Sequence, residues 1–194
     1  MGRSLILVGP RCCGKTSVGQ VVSEILKVPF VDADEWFENE FGDVNSYVNE
    51  HGGVPGGWKA FRKEETSIIE SICEEYKGRQ IVLTPGGGAV AHYQGEEYRQ
   101  RNVMLLKGFG NIFYLLPEND LEESAKILYE RSIQDKATAG LRPSLTGKKP
   151  YEDMMVTVKK RHELYSDAAT SGKPFYTGNK NIQEVAQEIS ELVK

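Results

Sequence analysis

No apolar run in these 194 residues approaches the roughly 20 that a membrane-spanning helix needs. The apolar stretch 5–8 is also too short for the core of a secretory signal, and position 6 is Ile where a myristoylated chain would prefer Ser or Thr. A cytoplasmic protein without a membrane partner is therefore expected. Cysteine is scarce: there are three, and two of them, Cys12 and Cys13, are adjacent. An odd number with that spacing is a poor basis for a disulfide framework, so free thiols are expected. Positive charge is not in excess either, since 24 basic residues face 28 acidic ones along the whole chain, which leaves no electrostatic footprint for nucleic acid. His51, His92 and His162 stand apart from one another and from the cysteines, so no transition-metal site is expected. Internal repeats and low-complexity tracts are missing. The length suits one domain, 1–194, large enough to bury a core, and a monomer is the expectation.

What is present is an alternation of short β-branched runs with helical periodicity. Residues 4–8 stop at Gly9-Pro10 and read as a buried parallel strand. Val18, Val21, Val22, Ile25 and Leu26 then recur at helical spacing. Further strands are predicted at 29–31, 80–84, 111–116 and 174–177. Helices are predicted at 33–41, 58–76, 89–107, 121–131, 151–169 and 182–193. The glycine-rich stretch 52–57 reads as a loop, and the polar stretch 132–149 is long enough for a mobile lid. Five strands, each followed by helix, predict an α/β fold with a parallel sheet covered on both faces.

Gly9-Pro10-Arg11-Cys12-Cys13-Gly14-Lys15-Thr16 matches G-x-x-x-x-G-K-[ST] between a predicted strand and helix. In that context backbone amides and the positive helix N-terminus hold a polyphosphate. Lys15 reaches the β- and γ-phosphates, and the Thr16 hydroxyl is a Mg²⁺ ligand. Cys12 and Cys13 occupy unconstrained positions of the motif and read as spacers more readily than as a redox switch.

A nucleotide cradle alone does not separate a switch, an ATPase and a kinase. Asp32-Ala33-Asp34 ends the second strand, which puts two carboxylates at the edge of the sheet where open α/β folds bind ligands. One can hold a water of a magnesium shell while the other accepts a hydroxyl proton; alternatively, either simply caps the following helix. Phe61-Arg62 has Glu65 at i+3, a spacing that lets a carboxylate hold the guanidinium for an anionic ligand, or forms an ordinary surface pair. Pro85-Gly86-Gly87-Gly88 follows the third strand, and three residues without side chains allow a ligand to approach the backbone. Arg142-Pro143 lies in the lid stretch, where a cation can neutralise charge on a transferring phosphoryl group. Arg161 lies on the helix after it and would complete a carboxylate clamp.

The order of these motifs resembles shikimate kinase: the loop from Gly9 to Thr16, Asp32-x-Asp34, Phe61-Arg62 with Glu65, Gly86-Gly87-Gly88, Arg142-Pro143 and Arg161-x-x-Leu164-Tyr165. The resemblance runs through nearly the whole chain. It implies a P-loop, nucleoside-monophosphate-kinase-like fold in three α/β/α layers, with strand order 2-3-1-4-5 and a mobile lid. It also implies ATP and Mg²⁺ as cosubstrates and phosphorylation of the 3-hydroxyl of shikimate, with 33–62 as the acceptor region. By position, Asp34 would bind the acceptor hydroxyl and act as base, and Asp32 would assist magnesium through water. Arg62 and Arg161 would hold the carboxylate, Gly86, Gly87 and Gly88 would meet shikimate through backbone groups, and Arg142 would be the lid arginine. Gly9, Arg11, Cys12, Cys13, Gly14, Lys15, Thr16 and Ser17 would bind the nucleotide, with Arg131, Asn179 and Lys180 near adenine. The loop 52–57 and the lid look enlarged relative to the family pattern, and Pro85 stands where an aliphatic residue is expected. Another sugar-acid kinase such as a gluconate kinase, or a non-catalytic nucleotide-binding relative, is the competing reading. Asn179-Lys180-Asn181-Ile182 lacks the Asp of a guanine-reading N-K-x-D.

Overall fold

The computed structural model describes residues 2–134, 145, 148–178 and 180–193, with Val54 and Pro55 described by their backbone only. Five parallel strands form one sheet in the order β2-β3-β1-β4-β5. The strands are β1 (Ser4–Val8), β2 (Phe30–Asp32), β3 (Val82–Thr84), β4 (Gly110–Leu116) and β5 (Pro174–Tyr176). All five residues of β1 are buried, although their side chains alternate between the two faces, so helices must cover the sheet on both sides. Leu5 to Val8, Ile81 to Leu83 and Ile112 with Tyr114 to Leu116 supply the middle of the core.

The helices are α1 (Lys15–Leu26), α2 (Ala33–Phe41), α3 (Val44–Glu50), α4 (Gly53–Glu75), α5 (Glu96–Phe109), α6 (Leu121–Gln134), α7 (Pro150–Ala168) and α8 (Ile182–Glu191). Among the described residues no helix is long and apolar enough to cross a membrane.

Two predicted boundaries are wrong for physical reasons. The stretch 52–57 is not a loop: α4 begins at Gly53, with Gly52 in the left-handed region (φ 103°) as its N-cap. Pro55 is tolerated because the first helical turn has no acceptors for its amides anyway. Gly57 is required by proximity, since a Cβ there would press on the Val48 carbonyl, 2.7 Å from its carbon. The second error is the start of the helix predicted at 89–107. Residues 89–95 are turns with Ala89, Val90, Ala91 and His92 fully buried, and α5 starts only after Gly95, whose φ of 74° interrupts the helical path.

Candidate active site

The carboxyl ends of β1, β2 and β3 lie side by side, and the chain leaves each of them through one of the motifs. After β1, the chain turns through Gly9 and Cys12 into α1, whose N-cap is Gly14 at φ 93°. Cys12 itself sits at φ 62°, a conformation uncommon for a residue with a side chain. The Lys15 ammonium folds over this turn and donates to the Gly9 and Pro10 carbonyls at 3.1 and 3.0 Å, with the Cys13 sulfur at 3.8 Å. Cys13 is buried under the loop, whereas Thr16 and Ser17 at the start of α1 are exposed.

Asp32 turns out to do both things its position allowed. Its Oδ1 accepts the Asp34 amide at 3.0 Å and so caps α2, while its Oδ2 accepts the Thr16 hydroxyl at 3.1 Å. Burial pushes its carboxyl above the usual range, the neighbouring Asp34 charge adds to this, and the nearby Thr84 hydroxyl together with the hydrogen bonds from the Asp34 amide and Thr16 opposes it.

Residues after β3 tie the sites together. Gly86 is at φ 80°, and a Cβ there would lie 2.7 Å from Asp34 Oδ1 and 3.2 Å from Glu65 Oε1. A Cβ on Gly87 would stand 3.8 Å from Lys15 Nζ, and one on Gly88 would lie 2.7 Å from the Arg62 guanidinium carbon. One turn therefore touches the acid pair, the cradle lysine and the arginine, and it can do so only without side chains.

Arg62 and Glu65 form a buried pair at 2.6 Å, exposed by only 4% and 5% at their side chains, so the surface-pair alternative is excluded. The guanidinium also lies against the Trp58 and Phe61 rings, at 5.5 and 4.9 Å. Burial raises the Glu65 carboxyl, and the cations of Arg62 and Arg161 pull it back. Arg62 Nε and Glu65 Oε2 are buried without a protein partner. Arg161 enters from α7, also buried, and feels Arg62 and Glu65 directly. Asp34 also bears on Glu65 across the Gly86 turn, so two guanidinium groups and two carboxylates meet here.

Two residues of this region carried no function in the sequence. His92 is fully buried beside Arg62, Arg161 and Arg99, and burial together with those cations drives its imidazole down to about 2. Apart from a weak pull from the Gln94 backbone, neither ring nitrogen has a partner. Tyr165 is equally buried and its hydroxyl donates to the Gly87 carbonyl. For His92 no periodicity or motif would have given a signal; for Tyr165 the only one was its place four residues after Arg161.

On the nucleotide side, an open groove of about 580 Å³ is lined by Ser17, Gln20, Val21, Asn181, Ile182 and Gln183 between α1 and α8. Arg131 is half-buried in the last turn of α6. Lys180 is exposed, pairs with Glu188 at 2.6 Å and sits over Phe175. Asn181 closes a capping box with Glu184 at the start of α8, which gives Asn181 a structural role. Arg142, Asn179 and most of the lid stretch 132–149 lie outside the described residues.

The family model for shikimate kinase matches residues 11–194. Shikimate kinase 2 of Escherichia fergusonii is 30% identical over 169 residues, 87% of this chain and 81% of the relative. Shikimate kinase from Acinetobacter baumannii, solved in complex with shikimate, matches with a TM-score of 0.76 and 26% identity over 100% of this chain and 93% of that one. Shikimate kinase from Bacteroides thetaiotaomicron matches with a TM-score of 0.74 and 24% identity over 99% of this chain and 98% of that one, a likeness of fold. A match over this span settles the lineage: this chain belongs to the shikimate kinase family of ATP-dependent kinases.

Proposed function

We propose that this enzyme transfers the γ-phosphoryl group of ATP to the 3-hydroxyl of shikimate, giving shikimate 3-phosphate and ADP. The observation that carries the reading is the glycine turn, which lies at once against Asp34, Lys15 and Arg62. An acid gripped by Arg62 and Arg161 presents its ring to the Gly86–Gly88 backbone and its alcohol to Asp34. Asp34 takes the hydroxyl proton as the oxygen attacks phosphorus, and Lys15 follows the charge on the phosphoryl oxygens. The work is positioning and charge stabilisation, since phosphoryl transfer asks little covalent chemistry of the protein.

Thr16 and Asp32 are suited to Mg²⁺: both offer hard oxygen atoms, and these already lie 3.1 Å apart. Thr16 would ligate the ion directly and Asp32 through water, and the ion when bound neutralises charge on the β- and γ-phosphates. In this reading residues 1–194 work as one kinase domain, with 33–62 as the acceptor region and 132–149, including Arg142, as the lid.

The test is an assay of the purified protein with ATP, Mg²⁺ and a panel of hydroxy acids including shikimate and gluconate, followed by ³¹P NMR. Shikimate is expected to be phosphorylated and gluconate left untouched. Transfer to gluconate in preference to shikimate would replace the proposed acceptor with the open-chain one.

A further inference from the structure

Tyr165 lies where the carboxylate clamp, the glycine turn and the cradle meet. It follows Arg161 by four residues on α7 and so shares its face of the helix. Its hydroxyl donates to the Gly87 carbonyl, a contact across 78 residues of sequence. The Arg161 guanidinium lies close enough to this hydroxyl for each group to shift the other's titration. Gly87 is the member of the triplet nearest Lys15 and the Gly9 carbonyl.

A buried tyrosine ordinarily finds hydrogen bonds somewhere, so packing alone is the plainer explanation. Two facts weigh against it. The ring is anchored independently, stacked on Tyr114 at 4.9 Å and 24°, and Tyr114 in turn is fixed by His162 Nδ1 at 3.2 Å from its hydroxyl. And the Tyr165 hydroxyl donates to the glycine turn of the site itself, within electrostatic reach of Arg161, rather than to a carbonyl of the core. Burial also raises the phenol above its ordinary value, against the pull of Arg161 and Lys15.

We propose that the Tyr165 hydroxyl is a positioning group for phosphoryl transfer, locking Arg161 to the Gly87 peptide so that the acceptor's carboxylate and alcohol reach the phosphate at Lys15 in one fixed register. The proposal rests on shikimate being the acceptor. Arg161 can donate to a ligand and to Tyr165 together because its guanidinium carries five donor hydrogens in a rigid fork. The tyrosine thus takes up one edge and leaves the other aimed.

The experiment compares Tyr165→Phe with Tyr114→Phe, each of which removes one hydroxyl from the same ring stack. With Tyr165→Phe, kcat/KM for shikimate is expected to fall roughly tenfold to a hundredfold, the range for losing one hydrogen bond to a charged group, while KM for ATP stays within about twofold. Tyr114→Phe is expected to leave both within about twofold while lowering the thermal midpoint at least as much. Equal losses in the two variants, an equal loss for ATP and shikimate, unchanged kinetics in Tyr165→Phe, or its failure to fold would each overturn the positioning role in favour of packing. A wild-type enzyme inactive on shikimate would overturn the acceptor assignment and this inference with it, a result read before any variant is compared.

Discussion

The two halves of the site are built from different materials. The cradle is mainly backbone: a turn of main-chain amides at the head of α1, with Thr16 and Ser17 open to solvent and Lys15 resting on the loop's own carbonyls. The acceptor side is mainly side chain, and those side chains are hidden: Arg62, Glu65, His92, Arg161 and Tyr165 are all buried and come from α4, the turn after β3 and α7. Phosphate carries enough charge to be held by dipoles at a wet edge. Discriminating one hydroxy acid from another takes fixed, desolvated charges, and these are expensive to bury unless they are paired. In the proposed reading, the contrast makes affinity for nucleotide and choice of acceptor separable, with the glycine turn as the hinge between them.

Substitutions on the acceptor side should leave the cradle working, and each is a chance to break that division. The largest effect belongs to Asp34→Asn, which removes the base but no charge-bearing group of the cradle. We expect kcat to fall by about 10² to 10⁴, the usual worth of general-base catalysis, with ATP affinity by equilibrium titration nearly unchanged. Retained turnover would take Asp34 out of the mechanism.

Arg62→Ala comes next, because it deletes half of the clamp and strands Glu65 in the interior. Shikimate affinity should drop by about 10²-fold or more, and unfolding stability by about 3 to 5 kcal/mol, as when one partner of a buried pair is removed. A parallel loss of ATP affinity, measured on the folded fraction, would show the halves to be coupled.

Gly88→Ala sharpens the comparison at a single atom. The added methyl meets the Arg62 guanidinium, so KM for shikimate should rise roughly tenfold, while the ATP constant stays put. Gly87→Ala, beside Lys15, is the reciprocal probe and should disturb ATP at least as much as shikimate.

The smallest effect concerns pH. An imidazole held near 2 when folded and 6.5 when unfolded gives stability that is present above 6.5 and lost as pH falls toward 2. His92→Gln does not titrate, so its stability relative to wild type should improve by about 1 kcal/mol between pH 7 and pH 5.5 in denaturant titrations. An identical pH dependence in the two proteins would mean that His92 is not held neutral.

The glycine turn between β1 and α1 was legible in the sequence because its eight residues are contiguous and its conformation is local. The Asp32–Asp34 boundary was legible for the same reason, as a cap and a strand end are short-range features. Arg62 with Glu65 could be seen as a pair but not as a buried one, since burial depends on how α4 lies against the turn after β3. Arg161 had meaning only through family order; what brings it to the proposed clamp is α7 crossing to within electrostatic reach of Arg62. The start of α4 was misread because glycine and proline signal loops by propensity, while the close crossing over Val48 favours a helix there. His92 stayed silent and Tyr165 stood only as the last residue of the Arg161-x-x-Leu164-Tyr165 motif with no role of its own, as buried polar groups acquire their role from neighbours far along the chain.

Two glycines near α3, one just before it and one in the first turns of α4, have opposite surroundings. Nothing lies within 4 Å of where a Cβ on Gly42 would be, whereas Gly57 is wedged against the Val48 peptide. The head of α4 therefore rests directly on the end of α3, and a side chain at position 57 would have to push apart two helices of the acceptor region.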